Sequence, residues 1–178
     1  MSAHKGFPAS DLDWDQVPYF SPWEWPRGEE EGGPLEYQDA GLILLVSEVR
    51  QSLPSTHRMD PHPLVGGHWR PSGRSRHSIE GRNPALSDAI DLYMDWAFVW
   101  DAWAAFQRHP DVGAVGIYTD QMYSGTEGDR AMLHIDLRPE RLLWVGWRPN
   151  RNHPLRYVYH HTDPLEFHRL LAYRAKRT

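Results

Sequence analysis

Apolar residues recur at helical spacing in a few stretches of this chain and at strand spacing in several more. Leu42, Leu45, Val46 and Val49 share one helical face, and Pro54 closes the segment, which predicts a helix over Leu35–Leu53. A more uniformly apolar helix is predicted over Trp96–His109, stopped by Pro110. Asp88–Met94, Gly113–Tyr118, Ala131–Leu137 and Arg141–Trp147 read as strands, the last two joined by a tight Arg138-Pro139-Glu140 turn. Leu155–His160 reads as an edge strand. Asp163 and Pro164 then supply the N-cap and first-turn proline of a terminal helix through Ala175, whose basic end suits its dipole.

The intervening stretches have no period. Residues 1–34 mix acidic, aromatic, proline and glycine residues, predicting an extended arm that packs its aromatics locally. Residues 54–86 read mostly as loop, with a short extended piece around Pro63–Trp69; loops of that length inside a domain are often functional. The expected organisation is an arm over 1–34, a main body over 35–148, and a strand and helix over 149–178 packed on the same domain. Helices and strands segregated in this way indicate an α+β fold: a central, largely antiparallel sheet flanked by helices.

Composition narrows the chemistry. The 178 residues contain no cysteine, so disulfides and thiolate zinc sites are excluded, and any metal must be held by carboxylates and some of the 11 histidines. Hydrophobic residues at 40% and charged residues at 24% predict a soluble globular protein. No apolar run approaches the ~20 residues of a membrane span, so no membrane insertion is expected. The first twenty residues lack a signal-peptide pattern, which predicts no export signal of the chain's own. Net charge is −5, with two basic against nine acidic residues in positions 1–40, and nucleic-acid binding finds no support. No nucleophile elbow, phosphate loop or informatively spaced carboxylate pair is present.

Two histidines stand in distinctive contexts, His77 in Ser75-Arg76-His77 and His134 in Leu133-His134-Ile135-Asp136-Leu137. An aspartate among the apolar residues of the Asp88–Met94 strand is costly unless it is paired or bound to a cation. Alternation puts Ala89, Asp91 and Tyr93 on one face and Asp88, Ile90 and Leu92 on the other, so Asp88 and Asp91 cannot serve one site. In the later strand His134, Asp136 and Arg138 form a polar row over Leu133, Ile135 and Leu137. Two histidines and an aspartate with a fourth position open to water make a workable catalytic zinc set. Hydrogen-bonded histidines and a capped aspartate account for the same spacing.

The run Tyr19-Phe20-Ser21-Pro22-Trp23-Glu24-Trp25, the helix ending Ser47-Glu48-Val49-Arg50, Ser75-Arg76-His77, Ala89-Ile90-Asp91-Leu92, Gly113–Tyr118, His134-Ile135-Asp136 and Trp144 together resemble the zinc D-alanyl-D-alanine carboxypeptidase and L-alanyl-D-glutamate endopeptidase family. That family includes cell-wall peptidases and phage endolysins and shares its fold with the hedgehog signalling domain. The resemblance covers about residues 19–148. It implies a hedgehog/D-Ala-D-Ala peptidase-like fold, Zn2+ held by His77, Asp91 and His134, and the stem peptide of peptidoglycan as substrate. It also implies that Gly66-Gly67-His68-Trp69-Arg70 ends a strand whose Arg70 contacts substrate; Arg58 is the competing placement.

The chain departs from the family pattern in spacing. Asp91 lies 14 positions after His77, further than is usual, and Ser87 stands where a glycine is expected; an inserted loop around Gly81–Leu86 absorbs the difference. Six residues separate Arg70 from His77, which reshapes the cleft. Arg130-Ala131-Met132-Leu133 precede His134 where family peptidases carry a general base. Asp136 is the nearest substitute, either as that base or as the carboxylate that orients a histidine ligand; Glu80, Glu127, Asp129 and His153 are further candidates. A family relative without catalysis, serving as a structural, wall-binding or virion component alongside other virion proteins, is the alternative. An active enzyme would be cytoplasmic until release to the cell wall, or ride in a virion. Of the nine tryptophans, Trp96, Trp100, Trp103, Trp144 and Trp147 are assigned to the core, and Trp23, Trp25 and Trp69 are the candidates for a cleft wall without being assigned to one; the His160-His161 pair with His168 is set aside as surface.

Overall fold

Asp39 decides where the first helix begins. In the computed structural model, which describes residues 6–25, 34–61, 69–119, 130–149 and 152–175, the Asp39 carboxylate accepts from the Gly41 and Leu42 amides at 2.8 and 3.3 Å, satisfying donors that the first helical turn leaves open. Helix α1 therefore runs Ala40–Ser52 rather than from Leu35, and Pro34–Tyr37 forms a 3-10 turn before it. Helix α2 (Trp96–Arg108) ends just before Pro110, as its sequence requires. Helix α3 (Pro164–Ala175) is capped by Asp163, which accepts from the Glu166 amide at 3.0 Å.

The six strands are β1 (Met59–Pro61), β2 (Ala89–Asp95), β3 (Ala114–Tyr118), β4 (Arg130–Asp136), β5 (Leu142–Trp147) and β6 (Arg156–Tyr159), in the order β1-β2-β4-β3-β5-β6. Every neighbouring pair is antiparallel except β3 and β5, so this α+β sheet is mixed. Nothing in the sequence pattern predicts strand β1: three residues at an edge, one of them proline, carry no alternation. The extended piece expected around Pro63–Trp69 lies almost wholly outside the described residues.

Alternation gives the sheet two unlike faces. Ile90, Leu92, Val115, Ile117, Leu133, Ile135 and Val145 turn toward the helices and join Leu42, Val46, Val49, Val99, Phe106, Phe167 and Leu170 in one continuous core. Fully burying such side chains stabilises the fold by about 1.5–3 kcal/mol each. The opposite face carries a smaller cluster, Tyr93, Tyr118, Met132 and Trp144, beside the polar row of β2 and β4.

The N-terminal stretch packs more deeply than expected. It forms three short 3-10 turns, and Ala9, Val17, Phe20 and Trp25 enter the main core instead of packing only on one another. The Ala40 amide donates to Phe7 O and the Ala9 amide to Gln38 O, both at 2.8 Å, and Ser47 Oγ donates to Pro18 O at 2.8 Å. Trp25, 2% exposed, is thus a core residue and no cleft wall. Among the described residues no helix is long and apolar enough to cross a membrane.

Candidate metal centre

Two strands and one turn build the site. In the β2–β4 ladder Asp91 stands directly opposite His134, and Ala89 opposite Asp136, so two of the three polar side chains are set by strand register. His77 comes from a turn outside any strand, held by the Arg70 amide, which donates to His77 O at 2.8 Å, and by the Ile79 amide, which donates to Arg70 O at 3.0 Å. All three side chains are buried.

Their donor atoms converge. His134 Nδ1 lies 2.9 Å from Asp91 Oδ1 and 3.2 Å from His77 Nε2, and His77 Nε2 lies 3.5 Å from Asp91 Oδ1. The other ring nitrogen of His134 donates to Asp136 Oδ2 at 3.1 Å. That bond fixes the imidazole: with its proton on Nε2, Nδ1 presents a lone pair to the Asp91 carboxylate and the His77 ring. Lone pairs this close repel unless a hydrogen on one of the ring nitrogens or a metal ion lies between them.

The electrostatics express the same demand. Burial by itself would lower the His134 pKa, but hydrogen bonds to Asp136 and Asp91 and their charges outweigh it and raise His134 to about 9. Burial would raise the Asp91 carboxyl, but the His77 charge and the two histidine hydrogen bonds hold it well below the usual carboxylate range. Asp136, with no exposed surface, is likewise held low against burial by His134 and by Arg138. Both its oxygens are engaged: Arg138 Nε donates at 2.8 and 2.9 Å, the Arg138 amide donates to Oδ1 at 3.1 Å, and the Arg138 Nη2 group also contacts Oδ2. Asp136 therefore orients His134.

An aromatic wall stands beside the histidines. The Trp144 ring lies 5.3 Å from that of His134 and 5.1 Å, edge-on, from Tyr118. Gly116, opposite His134 in β3, makes room for it, since a Cβ there would overlap the indole. Trp144 is buried as expected, but on this face and not among the helices. A glycine in mid-strand is the sequence signal that could have revealed the close approach.

Among the described residues one cluster of histidine and carboxylate groups can hold a metal ion, and it is His77, Asp91 and His134. Arg70 is near in the chain fold but exposed, bridging through its backbone to Ser78. Arg58 pairs with Asp60 at 2.9 Å beside β1, whose first residue lies opposite Met94. Glu80 is exposed and accepts from the Gly73 amide at 3.2 Å, and His153 is exposed. Glu127 and Asp129 lie outside the described residues, as does the side chain of Trp23. Trp69 packs on Tyr37 with ring centroids 4.4 Å apart. His160 and His168 meet edge-on at 5.3 Å near the surface helix. No protein-family model, curated protein or solved structure matches this chain.

Proposed function

We propose that this chain is a zinc-dependent peptidase of the D-Ala-D-Ala carboxypeptidase type, hydrolysing amide bonds in the stem peptide of peptidoglycan. The observation that carries the reading is the convergence of His77 Nε2, His134 Nδ1 and Asp91 Oδ1 at 2.9–3.5 Å, with the His134 tautomer set from behind by Asp136. Zinc bonded at about 2.0–2.1 Å by a tetrahedral set separates its ligands by about 3.3 Å. Two imidazoles and one carboxylate without thiolate are a donor set that zinc accepts in catalytic sites, with one position left for water. Zinc bound there would acidify its water and polarise a scissile carbonyl.

The chain's own residues supply the rest. Asp136 accepts the hydrogen bond from His134 Nε2, so that Nδ1 is the nitrogen turned to the ligand position, and Arg138 keeps Asp136 ionised. Trp144 and Tyr118 cover the sheet beside His134 and exclude water from that side. Arg70, exposed on the strand-like segment that pins His77, offers a planar guanidinium to a substrate carbonyl or carboxylate.

Purified protein incubated with muropeptides, with products followed by mass spectrometry, tests the reading. One zinc per chain and cleavage of stem peptides, both lost in His77→Ala, is the expected result. Zinc without cleavage, or a chain that takes up no zinc, would defeat the peptidase reading and favour a non-catalytic structural, wall-binding or virion protein.

A further inference from the structure

Strand register sets Asp91 and His134, but no ladder sets His77, which enters from a turn 14 positions before Asp91. A metal centre tolerates about 0.5 Å of error in its ligands, so something must fix that turn. One guanidinium reaches both sides of the gap. Arg82 Nη2 donates to the carbonyl of Arg76, the residue before His77, at 2.7 Å. Arg82 Nη1 donates to Asp88 Oδ1 at 2.7 Å and to Leu86 O at 3.0 Å.

Asp88 is tied in turn to both strands. It lies immediately before β2, its other carboxylate oxygen takes the Arg76 side chain, and its carbonyl accepts from the Leu137 amide, just past Asp136, at 3.0 Å. The pair is mostly withdrawn from water, with Arg82 22% and Asp88 12% exposed in their side chains. Such a pair is held more rigidly than a surface ion pair and is costly to break on one side. We propose that Arg82, acting through Asp88, is a positioning residue that places the His77 imidazole against Asp91 and His134, and that the long segment between the first two ligands is usable because of this clamp. Asp88, excluded as a ligand by alternation, thus serves the site from outside it.

This rests on the metal-centre reading, and the test separates the two. Co2+ binding is measured by titration calorimetry and by the visible absorption of the Co2+-loaded protein, for wild type, Arg82→Met, Arg82→Lys and Asp88→Asn, with circular dichroism reporting the fold. Arg82→Met and Asp88→Asn should each weaken Co2+ binding at least about ten-fold and shift the visible bands. Arg82→Lys should recover little, because a point charge cannot span the three acceptors of a planar fork. A clamp that only stabilises the fold would lower Tm and leave band positions and affinity unchanged; that result in any folded variant overturns the proposal. Should Arg82→Met fail to fold, Asp88→Asn decides the same question. A wild-type chain that takes up no Co2+ would overturn the metal centre and the clamp together, whereas wild-type uptake with unaltered variants overturns the clamp alone.

Discussion

Replacing Asp136 by asparagine isolates the role of the carboxylate behind His134. The change preserves shape but removes the charge and half the acceptor capacity. In the native site Asp136 Oδ2 accepts from His134 Nε2 at 3.1 Å, while the Arg138 side chain donates to both oxygens and the Arg138 amide to Oδ1 at 3.1 Å. An amide must turn its NH2 toward one of these donors whichever way it flips. The proton of His134 is then free to move to Nδ1, where it competes with a metal. Loss of such an orienting partner costs about 10–100-fold in metal affinity, or about 1.4–2.8 kcal/mol. Arg138, 20% exposed in its side chain, also loses its counter-charge, and breaking a pair so withdrawn from water destabilises the fold by about 3 kcal/mol. Competition with a chromophoric chelator gives the zinc Kd, measured at a temperature where both proteins are folded by circular dichroism. A Kd unchanged within about two-fold would refute the orienting role, and unchanged affinity with abolished cleavage would make Asp136 the general base instead.

Three further outcomes follow from the same geometry. Gly116→Ala drives a methyl group into the Trp144 indole; overpacking of this kind costs about 1–3 kcal/mol, so Tm should fall and Trp144 fluorescence, isolated by comparison with Trp144→Phe, should change, whereas an unchanged Tm and spectrum would show that the ring does not lie there. In metal-free protein the folded-state His134 pKa of about 9 exceeds the ordinary 6.5, so the stability it contributes is complete below about 6.5 and is lost as pH rises through about 9. Differential scanning fluorimetry with a chelator should therefore show Tm dropping across that window, and a flat profile would contradict the buried imidazolium. Asp39→Ala removes the α1 cap and the Asp39 Oδ2 acceptor of the Gly6 amide, 2.8 Å away; urea denaturation should report about 1–2 kcal/mol of lost stability, and a loss below about 0.3 kcal/mol would mean that the cap contributes nothing.

Alternation makes the two faces of β2 and of β4 readable, which is why Asp91 can be set apart from Asp88, and His134 grouped with Asp136, from the sequence; joining Asp91 to His134 is what the family resemblance implies. What alternation does not contain is register, so the opposition of Asp91 and His134 emerges only from the assembled sheet. The same rule applied to β5 would have placed Trp144 with Gly146, opposite Leu143 and Val145; assigning tryptophans by element instead of by face hides the aromatic wall. Trp25 escapes for another reason: the N-terminal stretch has no period, and its burial depends on docking against α1. The Arg82–Asp88 clamp joins loop residues whose meeting is tertiary, and no local pattern in the sequence contains it. The D-Ala-D-Ala peptidase resemblance rests on short motifs spread along the chain.

The most direct test of the central claim is diffraction from crystals grown with zinc, collected on both sides of the zinc absorption edge. One anomalous peak is expected, bonded to His77 Nε2, Asp91 Oδ1 and His134 Nδ1 at about 2.0–2.2 Å, with water at the fourth position. A peak elsewhere, or none at these three atoms with zinc in excess, would contradict that claim.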